Sequence, residues 1–229
     1  MVKGIVFDSG PIISLAMNNL LWILKPLKQY YKGEFYIVSS AHRELVDNAL
    51  QTKRFKFEAL QLLKMLNEGT LSVINDPEIE NIADDYLELA NSSFIGQGRP
   101  LVIAQRGEIE SLAAATHLQC DAVAIDERTT RLLIENPLDV RKLLQRKMNI
   151  AVAVNKGQLN DLVRETHKVN VLRSAEIVLV AYQLGLLDDY IPKLPNGRAL
   201  LLEGLLWGVK LSGCAISEKE IEELLSLLG

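Results

Sequence analysis

Two aspartates each come directly after a short apolar run. Asp8 follows Ile5-Val6-Phe7, and Asp126 follows the run at 121–125. Both runs have the length and composition of buried strands. In open α/β sheets, ligands bind outside the carboxyl ends of the strands. The two acids therefore meet at one edge if their strands are neighbours in the sheet.

Two glutamates extend this candidate site. Glu44 lies on a helix predicted after the strand at 34–38, and Glu108 lies at the start of a helix predicted from 107 to about 118. Clustered carboxylates repel one another, and a divalent cation relieves that repulsion. Carboxylates and water suit Mg²⁺ or Mn²⁺, which promote phosphodiester cleavage when held this way.

A simpler interpretation of each acid stays open at this point. An aspartate after a strand is commonly a turn or cap residue. A glutamate at a helix start interacts favourably with the helix dipole without any function. The spacing alone therefore indicates a candidate metal site and does not establish one.

The elements that position these residues follow an alternating order. Predicted strands at 5–7, 34–38, 71–74 and 121–125 alternate with helical patterns up to about residue 135. This order predicts an α/β core with a parallel sheet. Residues 91–100 are predicted to form a loop. The pattern beyond residue 135 is mostly helical, and residues 151–229 are predicted to form a helical extension packed on the core.

Composition limits the class of protein. The chain has 229 residues, is 48% hydrophobic and carries a formal net charge of −4. This charge disfavours proteins that coat nucleic acids, but a catalytic site needs only a local basic rim. No secretory signal, CxxC pair, GxxxxGK[ST] motif or long uncharged apolar segment is visible. We expect a cytoplasmic protein that does not associate with membranes.

Four segments in order resemble the motifs of the PIN-domain nuclease superfamily. They are residues 6–15 (VFDSGPIISL), 39–45 (SSAHREL), 107–113 (GEIESLA) and 122–128 (AVAIDER). The tail, with Gly185-Leu186-Leu187 and later Gly213 and Ile216-Ser217, resembles a toxin-like prokaryotic subgroup with extra C-terminal helices. Each motif is weak alone, and the four together are fairly specific.

The resemblance implies a fold and an activity. The fold is a three-layer α/β/α PIN-like domain over residues 1–150 with a central parallel sheet and a helical insertion at about 51–105, followed by the helical extension at 151–229. The activity is that of a Mg²⁺- or Mn²⁺-dependent endoribonuclease. Asp8, Glu44, Glu108 and Asp126 would hold one or two metals. Ser9 would hydrogen-bond a ligand or a metal-bound water, although a simple cap hydroxyl is an equal interpretation.

Two alternative ligands compete with these assignments. Glu127 follows Asp126 directly, and Asp126 is preferred because it comes first after the strand. Glu110 competes with Glu108, but helical spacing places Glu108 in line with Leu112, which is expected to face the core. Glu110 is expected to point elsewhere as a solvated charge.

The resemblance departs from the family in two places. Residues 51–105 match no family segment, and the fourth motif has Ala124-Ile125 where the family usually carries Thr or Ser. The alternative function is therefore a non-catalytic PIN-like scaffold that binds RNA or protein.

The expected partners follow from the resemblance. They are an RNA substrate, an antitoxin or an RNA-processing partner, and a second copy in a homodimer. The densest basic stretches, Lys53-Arg54-x-Lys56 and Arg141-Lys142 with Arg146-Lys147, are interpreted as solvated faces and not as sites.

Overall fold

A five-stranded parallel sheet forms the centre of the molecule. The computed structural model describes residues 3–228. The strands run in the order β3-β2-β1-β6-β8, with β1 in the middle. Their bounds are β1 Gly4–Phe7, β2 Glu34–Val38, β3 Ser72–Ile74, β6 Ala122–Ala124 and β8 Asn170–Leu172. Strand β1 pairs with both β2 and β6, and Phe7 lies opposite Ile37 and Ala124.

Helices flank this sheet in the three-layer α/β/α arrangement that the sequence predicts. Helix α7 (Arg106–His117) packs on β1, β2 and β6, and α11 (Ser174–Gln183) contacts α1 (Ser9–Met17) and α12 (Gly197–Leu211). The helices are α1 Ser9–Met17, α2 Leu24–Tyr31, α3 Ser39–His42, α4 Ala49–Gln51, α5 Lys56–Asn67, α6 Pro77–Ser92, α7 Arg106–His117, α8 Arg128–Glu135, α9 Pro137–Met148, α10 Lys156–Thr166, α11 Ser174–Gln183, α12 Gly197–Leu211 and α13 Glu218–Leu228. A π-helical segment, Arg43–Asn48, joins α3 to α4, and 3₁₀ turns occupy Leu21–Ile23 and Asp188–Tyr190.

The apolar composition of the strands fits a parallel sheet that is buried on both faces. The two central strands β1 and β6 are apolar throughout, and Val6, Phe7 and Val123 are at most 1% exposed. Parallel sheets are covered by helices on both faces, so their strands are near-continuous apolar runs. The four strands predicted before residue 135 are confirmed.

The C-terminal part is less purely helical than the sequence predicts. Strands β7 (Val152–Val154) and β8 both lie within residues 151–229, and β8 pairs with β6 as the fifth strand of the central sheet. The prediction of a helical extension is wrong for these two strands. Each is three residues long, so no periodicity marks it, and its partner strand stabilises it.

Residues 51–105 also contain strands. Strand β3, predicted at 71–74, pairs with β2, so the insertion supplies one edge strand of the central sheet besides its helices. Residues 94–100, predicted to be a loop, form a hairpin of β4 (Phe94–Gly96) and β5 (Arg99–Pro100), and β7 pairs with β4. Gln97 and Gly98 both have positive φ, 51° and 75°. Positive φ at both central residues suits a two-residue hairpin turn.

None of the helices within residues 3–228 combines the length and apolar character needed to cross a bilayer.

Candidate active site

The two strand-end aspartates lie at the point where the sheet order reverses. The chain builds outward from β1 to β3 on one side and then continues at β6 on the other. Ligands bind at such a switch point in open α/β sheets. The Asp8 N–H donates to the Ala124 carbonyl at 3.0 Å. A Cβ placed on Gly10 would lie 3.4 Å from Asp8 Oδ2 and 3.6 Å from Asp126 Cβ, so both acids border the turn at Gly10.

Asp8 is a buried carboxylate whose charge no basic side chain within residues 3–228 balances. It is the N-cap of α1, and its Oδ2 accepts a hydrogen bond from the Gly10 N–H at 3.2 Å. The side chain is 7% exposed. Burial raises the pKa of Asp8 from 3.8 to about 6, and the charges of Glu44 and Asp126 add to this, although backbone hydrogen bonds from Gly10 and Ser9 oppose it.

Glu108 is the second carboxyl with a raised pKa. It lies in the first turn of α7, and its Oε2 accepts a hydrogen bond from the Thr130 hydroxyl. Burial raises the pKa of Glu108 from 4.5 to about 7; the charges of Glu127 and Asp8 raise it further, and the Thr130 hydrogen bond lowers it. Asp8 and Glu108 are therefore close enough to interact electrostatically, and their predicted role as shared metal ligands stays a prediction.

Glu44 lies on the outer side of this group. Its residue is exposed on the π-helical segment, and its charge contributes to the raised pKa of Asp8. Single turns of π-helix occur frequently at functional sites. Glu44 is thus close enough to Asp8 for the two charges to repel each other, and it is exposed to solvent.

Ser9 is the first residue of α1 and is half-buried. Its N–H helps to hold the Asp8 carboxylate. The role in ligand binding that the resemblance implies for the Ser9 hydroxyl stays a prediction.

Asp126 is engaged in a different way from Asp8. Its Oδ1 accepts from the Ser174 N–H at 2.7 Å, and its Oδ2 accepts from the hydroxyls of Ser14 at 2.6 Å and Ser174 at 2.8 Å. It is 4% exposed. The carboxylate thus ties the end of β6 to α1 and α11, and coordination of a metal would compete with these hydrogen bonds.

Glu127, the alternative to Asp126 as a ligand, lies close enough to Glu108 for its charge to act on that carboxyl. Its side chain caps α8 by accepting from the Thr130 N–H at 2.7 Å, and its charge raises the pKa of Glu108. Thr130 thereby holds both glutamates, one through its hydroxyl and one through its N–H. The geometry favours Glu127 over Asp126 as a ligand at this position, because within residues 3–228 one Glu127 oxygen accepts a hydrogen bond, whereas both Asp126 oxygens do.

Glu110 does not have the environment that the sequence suggests. It is 8% exposed and lies 3.5 Å from the Arg106 guanidinium, so the expectation of a solvated charge is wrong. The reason is that α7 is buried on nearly every face, from Ile109 to Ala115. Glu110 lines a separate polar cavity with Ser39 and Arg43.

The acidic residues do not form a preformed metal site. Within residues 3–228, no three His, Cys, Asp or Glu side chains come close enough together to hold an ion. The donor chemistry nevertheless fits Mg²⁺ or Mn²⁺, since only carboxylate oxygens are offered. In the described part of the chain, Asp8, Glu44, Glu108 and Glu127 form no ion pair with a basic side chain. Reorientation of exposed Glu44 would be needed to complete a ligand set.

Sequence reasoning missed three hydroxyl residues that hold the acids: Ser14, Thr130 and Ser174. Ser14 is a single hydroxyl in an otherwise apolar stretch of α1, and it is 1% exposed. A buried hydroxyl needs a partner, and this requirement is the signal that was available. Ser174 begins a helix after a strand, but that strand was itself not predicted.

The chain was also compared with known proteins. No protein-family model, no curated protein and no solved structure matches it. The resemblance to PIN domains, the homodimer and the antitoxin or RNA-processing partner therefore stay predictions.

Proposed function

We propose that the protein is a Mg²⁺- or Mn²⁺-dependent endoribonuclease that acts at the carboxyl ends of β1 and β6. One observation carries the proposal. Asp8 and Glu108 are two buried or half-buried carboxyls with raised pKa at a topological switch point, and no basic side chain within residues 3–228 neutralises them. Perturbed carboxyls of this kind cluster at functional sites.

The proposed metal ligands are Asp8, Glu108, Glu127 and Glu44. Asp126 is a positioning residue in this proposal, because its hydrogen bonds to Ser14 and Ser174 fix the end of β6. When bound, Mg²⁺ or Mn²⁺ supplies Lewis acidity and makes hydroxide accessible at neutral pH.

The protein groups set the geometry and the protonation of the site. The Gly10 N–H orients Asp8 Oδ2, and Thr130 orients Glu108 and Glu127. At neutral pH without a cation, a fraction of the Asp8 and Glu108 carboxyls hold protons, since their pKa values are about 6 and about 7. Cation binding would release those protons, so affinity should rise with pH over this range.

Cleavage of single-stranded RNA with Mn²⁺ tests the proposal. We expect wild type to cleave, and we expect Asp8→Asn, Glu108→Gln or a chelator to reduce the rate to background. Glu110→Gln is the matched control, because Glu110 lies on the same helix but pairs with Arg106. Equal cleavage by wild type and Asp8→Asn would indicate a contaminating ribonuclease and contradict the proposal.

A non-catalytic scaffold is the second candidate function. Two observations favour it: the described residues contain no group of three potential ligands, and both oxygens of Asp126 are engaged. A scaffold would bind RNA or protein equally well in wild type and Asp8→Asn, and neither would cleave RNA.

A further inference from the structure

A small apolar pocket lies beside the proposed active site. It has a volume of about 260 Å³ and lies between α1, the π-helical segment and α5. Its walls are mainly aliphatic, including Ile12, Ile13, Leu45 and Leu62. Its volume is below that of pockets for drug-sized ligands, so it suits one planar group and not a helix.

Glu44, one of the proposed metal ligands, lines the pocket, so the pocket and the proposed site share this side chain. A ligand that engages both must carry one group that enters the pocket and another that reaches the carboxylates. A nucleotide next to a scissile phosphodiester meets this requirement.

The segment at 52–56, which contributes Thr52 and Phe55 to the pocket wall, is basic. Lys53, Arg54 and Lys56 are exposed, and none of them forms an ion pair with another described residue. Phe55 lines the pocket and is 38% exposed, and the Arg54 guanidinium lies 4.7 Å from its ring centroid. Three unpaired cations within four residues are notable in a chain with a net charge of −4.

The backbone at Phe55 supports a functional role for this loop. Phe55 has φ 66°, a left-handed conformation that is rare for a bulky residue. Such conformations are held by the surrounding structure and cluster at ligand clamps and active sites. Here the conformation places an aromatic ring in the wall of the pocket, between basic residues.

We propose that this pocket binds a nucleobase of single-stranded RNA, and that Lys53, Arg54 and Lys56 bind the adjacent phosphates. The inference rests on the proposed function, since it places the base beside the bond to be cleaved. Stacking on an aromatic ring inside a basic groove is the general mode of single-strand recognition.

The polar groups of the pocket suit the edge of a base. The Asn48 side chain is exposed and can both donate and accept. The Glu58 carboxylate also lines the pocket and can accept from an exocyclic amine. Glu44 and Glu58 would repel an approaching phosphate backbone. The positive charges of Lys53, Arg54 and Lys56 offset that repulsion.

Binding of fluorescein-labelled single-stranded RNA to the full chain in chelator tests the inference without requiring cleavage. Phe55→Gly removes the ring and tolerates the left-handed backbone, and we expect it to raise Kd about tenfold without changing the salt dependence. Ala49→Phe, which fills the pocket, should have a similar effect. The triple alanine variant of Lys53, Arg54 and Lys56 should weaken binding and lower the slope of log Kd against log salt by about 2.

The matched control removes three positive charges elsewhere. Alanine at Lys142, Arg146 and Lys147, which are exposed on α9, should weaken binding much less than the loop triple variant. Circular dichroism of each variant verifies the fold, and Phe55→Gly keeps the test valid if Ala49→Phe does not fold.

Four outcomes would overturn the inference. They are no RNA binding by wild type, equal losses in the two triple variants, unchanged affinity in Phe55→Gly, and a dimer that Ala49→Phe converts to a monomer without loss of RNA binding. Failure of the proposed function is separate: it appears as an absence of Mn²⁺-dependent cleavage while loop-dependent RNA binding in chelator persists.

Discussion

At the scale of single residues, the two strand-end aspartates have different roles. Asp8 is buried with one direct backbone hydrogen bond to Oδ2 and a raised pKa. Asp126 is equally buried but accepts three hydrogen bonds from Ser14 and Ser174. An unpaired buried charge costs stability, whereas removal of one partner from a satisfied network leaves donors unsatisfied. Substitutions at the two positions should therefore have opposite effects.

We expect Asp126→Ala to lower the free energy of unfolding by about 3 kcal/mol, because the buried Ser174 N–H and the two serine hydroxyls lose their acceptor. Asp8→Asn should leave stability unchanged or raise it at pH 7.5. Urea titration measures both. Asp161→Ala, which removes an exposed ion pair with Arg164, is the control and should cost less than about 0.5 kcal/mol. Equal losses for both substitutions would refute this division of roles.

The sequence was sufficient to predict where these acids lie but not what holds them. Each aspartate follows an apolar run that must be buried, so its place at a strand end can be inferred from the sequence. The partners of Asp126 are 112 and 48 residues away along the chain, and no local pattern reports contacts of that range. The preference for Asp126 over Glu127 rested on order alone and could not account for these contacts.

At the scale of elements, Arg173 joins the last strand to the last helix. It is 8% exposed and lies between β8 and α11. Its guanidinium contacts Glu176, donates to Glu220 of α13 at 2.9 Å and donates to the Ala215 carbonyl at 3.1 Å. This arrangement stabilises α13 against the segment that also carries Ser174.

Arg173→Met should lower the free energy of unfolding by about 3 kcal/mol, since two carboxylates lose their common partner. Hydrogen exchange should show the loss of protection first in α13. Arg164→Met is the control, because the Arg164 side chain is 69% exposed and its ion pairs should contribute less than about 0.5 kcal/mol. Unchanged protection of α13 in Arg173→Met would show that Arg173 does not anchor that helix.

Elements differed in how well the sequence predicted them. Helix α7 has a sustained apolar periodicity and starts within one residue of the prediction. Strands β7 and β8 have three residues each, and their pairing with β4 and β6 determines them. Tertiary pairing of that kind cannot be read from a single short segment.

At the scale of the whole molecule, the shifted carboxyls determine how stability depends on pH. The folded pKa values of Asp8 and Glu108 are raised, so the folded state retains protons that the unfolded state has released. Stability therefore falls as pH rises through this range. Glu220 acts in the opposite sense at lower pH, because Ser217 and Arg173 lower its pKa to about 2.

We expect these carboxyls to place the maximum stability of the metal-free protein near pH 4, with a loss of stability from there up to about pH 7. For Asp8 alone, the difference between 3.8 and about 6 corresponds to about 3 kcal/mol. Thermal melting across this pH range in chelator measures the effect. Asp8→Asn should flatten the decline, and a decline of unchanged size in that variant would show that Asp8 does not cause it.

The most direct test of the central claim, that uncompensated carboxylates at the switch point bind a divalent cation, is thermal melting with Mn²⁺ at pH 7.5. At a free concentration of about 100 Kd we expect wild type to gain about 5–10 °C. Asp8→Asn and Glu108→Gln should lose this gain, and Glu110→Gln should keep it. An equal gain in all four proteins, or no gain in wild type, would contradict the claim.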